Sequence, residues 1–118
     1  MLAPKIYVKD KNKVYDTQVI DYKNKIVIFF DNETQCTYTR LFDEVEFMNN
    51  TGFKDKNGKY IYLGDIVEIV GTLFEVKYKI FKGYAIENKE YTLSLEANFD
   101  TATIIGNIYE NKELLEDI

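Results

Sequence analysis

The stretch that most constrains this chain is Thr51 to Ile69, TGFKDKNGKYIYLGDIVEI. Asp55-Lys56-Asn57-Gly58 reads as a tight turn, because an Asp carboxylate can accept hydrogen bonds from the turn backbone and Gly takes positive φ without penalty. Tyr60-Ile61-Tyr62 is a short β-prone run, Leu63-Gly64-Asp65 breaks it, and Ile66-Val67-Glu68-Ile69 starts another strand. Asp55, Asn57, Gly58, Gly64 and Asp65 are therefore expected to be structural turn residues. A hairpin followed by a Gly-Asp corner commits this part of the chain to β structure.

The rest follows the same pattern. Lys5–Lys9, Val14–Tyr22, Ile26–Phe30 and Gln35–Arg40 are β-prone runs separated by polar, Lys- and Asn-rich turns. Ile26–Phe30 is continuously apolar and is expected to be covered on both faces. Leu41–Met48 fits either a helical turn or a short strand. Beyond Gly71, the run Thr72–Phe81 alternates cleanly, which predicts Phe74, Val76, Tyr78 and Ile80 on one inward face. Tyr84–Glu87 is a short strand, Tyr91–Leu95 points Tyr91, Leu93 and Leu95 inward, and Thr101–Ile105 is the last strand. Asn111 is placed to cap a short helix, Lys112–Glu116, with Leu114 and Leu115 against the sheet. The expected architecture is mainly β: a meander over residues 1–50, then a small curled sheet or barrel over 51–118 with a short C-terminal helix.

With 10 Tyr, 8 Phe, no Trp and one Pro in 118 residues, composition leans the same way. No apolar run approaches the roughly 20 residues needed to span a bilayer, so a cytoplasmic protein with no membrane partner is expected. Cys36 is the single cysteine, which excludes an internal disulfide; it is expected to be a buried structural thiol.

Catalytic chemistry finds few candidates. The chain has no His, the usual proton carrier near neutral pH. Cys36 and Ser94, the only Ser, have no base in their strands, and no glycine-rich phosphate loop is present. Carboxylate pairs such as Glu44/Glu46 and Glu116/Asp117 have the spacing of a wet acidic surface. The DKNG turn lacks the acidic residue a calcium loop requires, since Ile66 stands at that position. No enzyme, metal or cofactor is expected.

Net charge is −5, and it is uneven: residues 51–118 hold eight Lys and twelve acids. A duplex-coating protein is usually basic, so bare nucleic acid is disfavoured. Lys54, Lys56 and Lys59 beside Tyr60 and Tyr62 form a basic-aromatic cluster, the candidate binding surface and the basis of an alternative nucleic-acid reading. The acidic tail, Glu110–Asp117, is the other candidate surface.

TGFKDKNGKYIYLGDIVEI and the closing IIGNIYENKELLEDI, Ile104–Ile118, resemble the two motifs of the YopX family, small proteins of phages and prophages of Gram-positive bacteria. TG, DKNG and GDIV occur in fixed order without gaps. Phe53, Leu63 and Lys112 depart from the family's usual Leu, acidic residue and Pro, and none of these is a turn residue. The resemblance implies an SH3-type barrel in the C-terminal part. It brings no biochemical activity with it. A non-catalytic accessory protein of an infected or lysogenic host, binding a host or phage protein, is expected. Sheet edges also leave room for homo-oligomers.

Overall fold

A computed structural model describes residues 2–118, apart from the side chain of Asp117. The described residues form thirteen strands and three short 3-10 turns, arranged in two compact units that divide between Asn49 and Asn50.

In the first unit, β1 (Lys5–Val8) is the centre of an antiparallel sheet with β2 (Lys13–Asp16) and β6 (Val45–Met48) at its sides. A second antiparallel sheet places β4 (Ile26–Asp31) between β3 (Val19–Asp21) and β5 (Cys36–Leu41). The inward residues of both sheets, Ile6 and Val8, Val27 and Phe29, and Val45, make one core. Phe29 sits between the rings of Tyr15 and Tyr38, at 4.5 and 5.7 Å between centroids.

Two expectations change here. The apolar run Ile26–Phe30 is not covered on both faces: Val27 and Phe29 are buried, while Phe30 is exposed and Ile26 and Ile28 are half-buried. Leu41–Met48 is both of the forms its pattern allowed, a 3-10 turn at Phe42–Glu44 followed directly by β6. Glu44 closes that turn by accepting the Leu41 N–H at 2.7 Å.

The second unit begins with the hairpin of β7 (Asn50–Lys54) and β8 (Tyr60–Tyr62). The strands β9 (Asp65–Ile69), β10 (Thr72–Lys79), β11 (Gly83–Glu87), β12 (Thr92–Ser94) and β13 (Thr103–Asn107) form an antiparallel sheet in the order β12-β11-β10-β9-β13. Ile61, Val67, Phe74, Val76, Ile86, Leu95 and Ala102 are its core.

This sheet has two free ends, β12 and β13, so it is open and not the closed SH3-type barrel that the resemblance implied. The C-terminal segment is also corrected, since Lys112–Asp117 is a 3-10 turn with no side-chain cap bond from Asn111. Asn111 Oδ1 instead accepts the Asn107 N–H at 3.1 Å, turning the chain back after β13.

Candidate functional site

The β7–β8 hairpin is built on Asp55. Its Oδ1 accepts the N–H groups of Asn57 and Lys59 at 2.9 and 3.0 Å, and Gly58 completes the turn at φ +80°. The other oxygen, Oδ2, accepts the N–H of Ile104 on β13 at 3.1 Å, and Lys56 N–H donates to Ala102 O at 2.9 Å. One carboxylate thus shapes a turn and fastens it to a strand about fifty positions further along the chain. Asp55 is only 5 % exposed. Burial pushes its pKa up, but the N–H donors of Ile104, Lys59 and Asn57, with the charge of Lys59, outweigh it and hold the carboxyl below its ordinary value.

The Gly-Asp corner works similarly. Gly64 has φ +94°, and Asp65 Oδ2 accepts the Tyr62 N–H at 2.8 Å. Gly64 also joins the hairpin to its surroundings, its N–H donating to Val76 O and its carbonyl accepting from Ile108.

On this frame the candidate binding residues face outward. Lys54, Lys56, Lys59 and Tyr60 are exposed, Tyr62 is half-buried, and Ile61 between the tyrosines fills the core. Lys54 and Tyr60 are partners in register, and the Lys54 ammonium lies 4.9 Å from the ring centroid. That contact occupies one face of Tyr60 with a cation.

The acidic tail contributes to a different place. An open cleft of about 650 Å³ in the second unit is lined by Glu68, Leu73, Glu90, Tyr91, Glu116 and Ile118, among others. Among the described residues, Lys89 is the one cation in its lining. Sharing Asn88, Lys89 and Ile118 with that cleft, a smaller cleft of about 280 Å³ is also lined by Glu75, Lys77, Glu87 and Leu115. Glu87 is deprotonated firmly, with its pKa near 2, because Lys79, Thr92 and Lys77 all donate to it. Glu75, its cross-strand partner, is shifted the opposite way by burial.

Tyr91 was expected inward with Leu93 and Leu95; only Leu95 is buried, and Tyr91 stands exposed in the cleft wall. Sequence reasoning found Glu116 and missed Glu68, on β9, and Glu90, in the connection between β11 and β12, which share the cleft only through the tertiary fold. Cys36 is a further correction: it is exposed on β5, an outer strand, with its thiol donating to Thr34 O at 3.4 Å. Ser94 Oγ accepts the Ala97 N–H at 3.3 Å on the exposed strand β12. Among the described residues, no group of three or more His, Cys, Asp or Glu is placed to hold a metal ion. No helix among them is long and apolar enough to cross a membrane.

The fold is shared with a solved structure, protein EF1440 from Enterococcus faecalis. The two are 21 % identical, match over 96 % of each chain and superpose with a TM-score of 0.64. Curated proteins give no significant match. The family model described as YopX protein matches residues 5–116, which takes in both compact units. The chain belongs to the YopX family.

Proposed function

We propose that this is a non-catalytic accessory protein of phage or prophage origin that works in the host cytoplasm by binding another protein. The observation that supports this reading is the acidic cleft, which Glu68, Glu90 and Glu116 line together with the exposed Tyr91. Carboxylates around an aromatic face suit the Lys or Arg side chains of a basic segment, through ion pairing and cation–π contact. The partner is accordingly a host or phage protein with a basic, extended segment.

The test is titration of a fluorescent Lys/Arg-rich peptide, and of its acidic counterpart, against the whole protein at about 150 mM salt, where exposed charges are screened beyond about 8 Å. Binding of the basic peptide that is lost in Glu68→Lys/Glu90→Lys supports the reading. Equal binding of both peptides, or none, overturns it.

The second reading is a single-strand nucleic-acid module at the β7–β8 tip, favoured by the exposure of Lys54, Lys56 and Lys59, with Lys54 against the Tyr60 ring. Three phosphate contacts give a shallow log–log salt slope of about −2 to −3. Submicromolar oligonucleotide binding lost in Lys54→Glu/Lys56→Glu would place this reading first. A purified preparation is expected to turn over no nucleotide, peptide or nucleic acid; reproducible turnover abolished by one point substitution would refute the non-catalytic assignment.

A further inference from the structure

The alternation of β10 puts Phe74, Val76 and Tyr78 on the same side of the strand, and Ile80 follows in the turn, yet their fates differ. Phe74 and Val76 are buried, whereas Tyr78 is 61 % exposed and Ile80 76 % exposed. Burial on β10 ends between Val76 and Tyr78, while Tyr84 on β11 stays half-buried against the core. At the tip, Phe81 is fully exposed, held out by a left-handed backbone at φ +71°. A bulky residue in that conformation is strained. On the partner strand, Tyr84 stands opposite Tyr78 with the rings 5.4 Å apart. The surface then runs towards Leu93 through a shallow cleft of about 270 Å³.

Among the described residues, Glu87 is the one carboxylate ion-paired with the lysines of this end. Lys77 to Tyr84, KYKIFKGY, has three Lys and no acid in a protein of net charge −5. Lys77 and Lys79 reach back to Glu87, and Lys82 is exposed. Along the hairpin the order is therefore Ile80 and Phe81 outermost, then Lys79 and Lys82, then the Tyr78–Tyr84 pair.

We propose that the β10–β11 tip is a docking element for an anionic lipid surface. Ile80 and Phe81 enter the acyl boundary, the lysines meet the headgroups, and the tyrosines take the interfacial position that suits a ring with one polar end. The charge disfavours tip-to-tip pairing of two copies, which brings two lysine sets together, and a tip seated in the acidic cleft of a second copy is separated from lipid docking by its dependence on protein concentration. Ile80 favours a lipid surface over a nucleic-acid strand, which is gripped by stacking on flat rings. Such docking needs no spanning segment, and it is independent of the acidic cleft.

Because the chain lacks Trp, Phe81→Trp introduces a single reporter at the tip, and Tyr22→Trp, at an exposed position of the first unit, is the control. The probe is vesicles of phosphatidylcholine alone and of equal phosphatidylcholine and phosphatidylglycerol, at low and physiological salt. The expected result is a blue shift of the Phe81→Trp emission with anionic vesicles only, weakened by salt and by added Lys82→Glu, with the control unmoved. Native protein should co-sediment with the anionic vesicles, and Ile80→Ser/Phe81→Ser should lose most of that fraction while keeping its circular dichroism spectrum. An unmoved Phe81→Trp spectrum overturns the proposal. So does a shift that follows protein concentration without vesicles, the mark of self-association, or one that appears with oligonucleotide instead.

Discussion

At the residue scale, Asp55 joins the β7–β8 turn to β13. Three backbone N–H groups, those of Asn57, Lys59 and Ile104, depend on it. Asp55→Ala leaves them without that acceptor in a mostly buried site, which is expected to cost about 3 kcal/mol or more; chemical denaturation of the purified variant measures it. Gly58 makes a smaller contribution of another kind. A Cβ there meets nothing within 4 Å, so Gly58→Ala should cost only the conformational penalty of φ +80°, about 1 kcal/mol. Val70 offers the reverse experiment. It is 97 % exposed at φ +47°, next to Gly71 at +79°, in a two-residue turn that suits Asn-Gly. Val70→Asn should raise the melting temperature by relieving about 1 kcal/mol of strain; a lower melting temperature would show that the side chain has a packing role.

Among the elements, β10, β11 and β12 are joined on their polar face by Glu87. It receives Lys77 at 3.0 Å, Lys79, and the Thr92 hydroxyl at 2.7 Å. Its pKa falls from 4.5 to about 2 in the fold. A carboxyl depressed in this way adds stability that is fully present above the unfolded value and is lost as pH drops through the folded one. The native protein should therefore lose this contribution between about pH 4.5 and 2. Glu87→Gln should show a flatter stability curve across that window, measured by thermal melts; an unchanged curve would mean that these contacts do not persist in solution. The same carboxylate orders Lys77 and Lys79 behind the exposed tip, so one residue serves both the sheet and the proposed lipid contact.

Taken as a whole, the molecule has two separate apolar cores, and each answers to its own residues. Phe29→Ala removes the ring between Tyr15 and Tyr38 and should destabilise the first unit by about 3–5 kcal/mol. Hydrogen exchange should show the loss in β1, β4 and β6. Equal loss across β9–β11 would indicate that both units unfold as one.

What the sequence by itself determined is whatever rests on neighbours in the chain. The Asp55–Gly58 turn, the alternation of β10 and the prevalence of short strands all follow from side-chain chemistry within a few residues. The family was legible for the same reason, because its motifs are runs of turn residues. Tertiary structure decided which part of a face is covered. Tyr78 obeys the same period-two rule as Phe74 and Val76, but periodicity fixes only the side of a strand, and burial needs another layer above it; Ile80, which continues the pattern in sequence, falls in the turn beyond the strand. Whether the sheet closes was decided there too, since closure depends on pairing between β12 and β13. Cys36 is exposed while Tyr38, two residues further along the same border strand, packs against the core, and no local signal separates the two. The cleft of Glu68, Glu90 and Glu116 belongs to this second class, because residues far apart in the chain become neighbours only when the sheet sets its strand order.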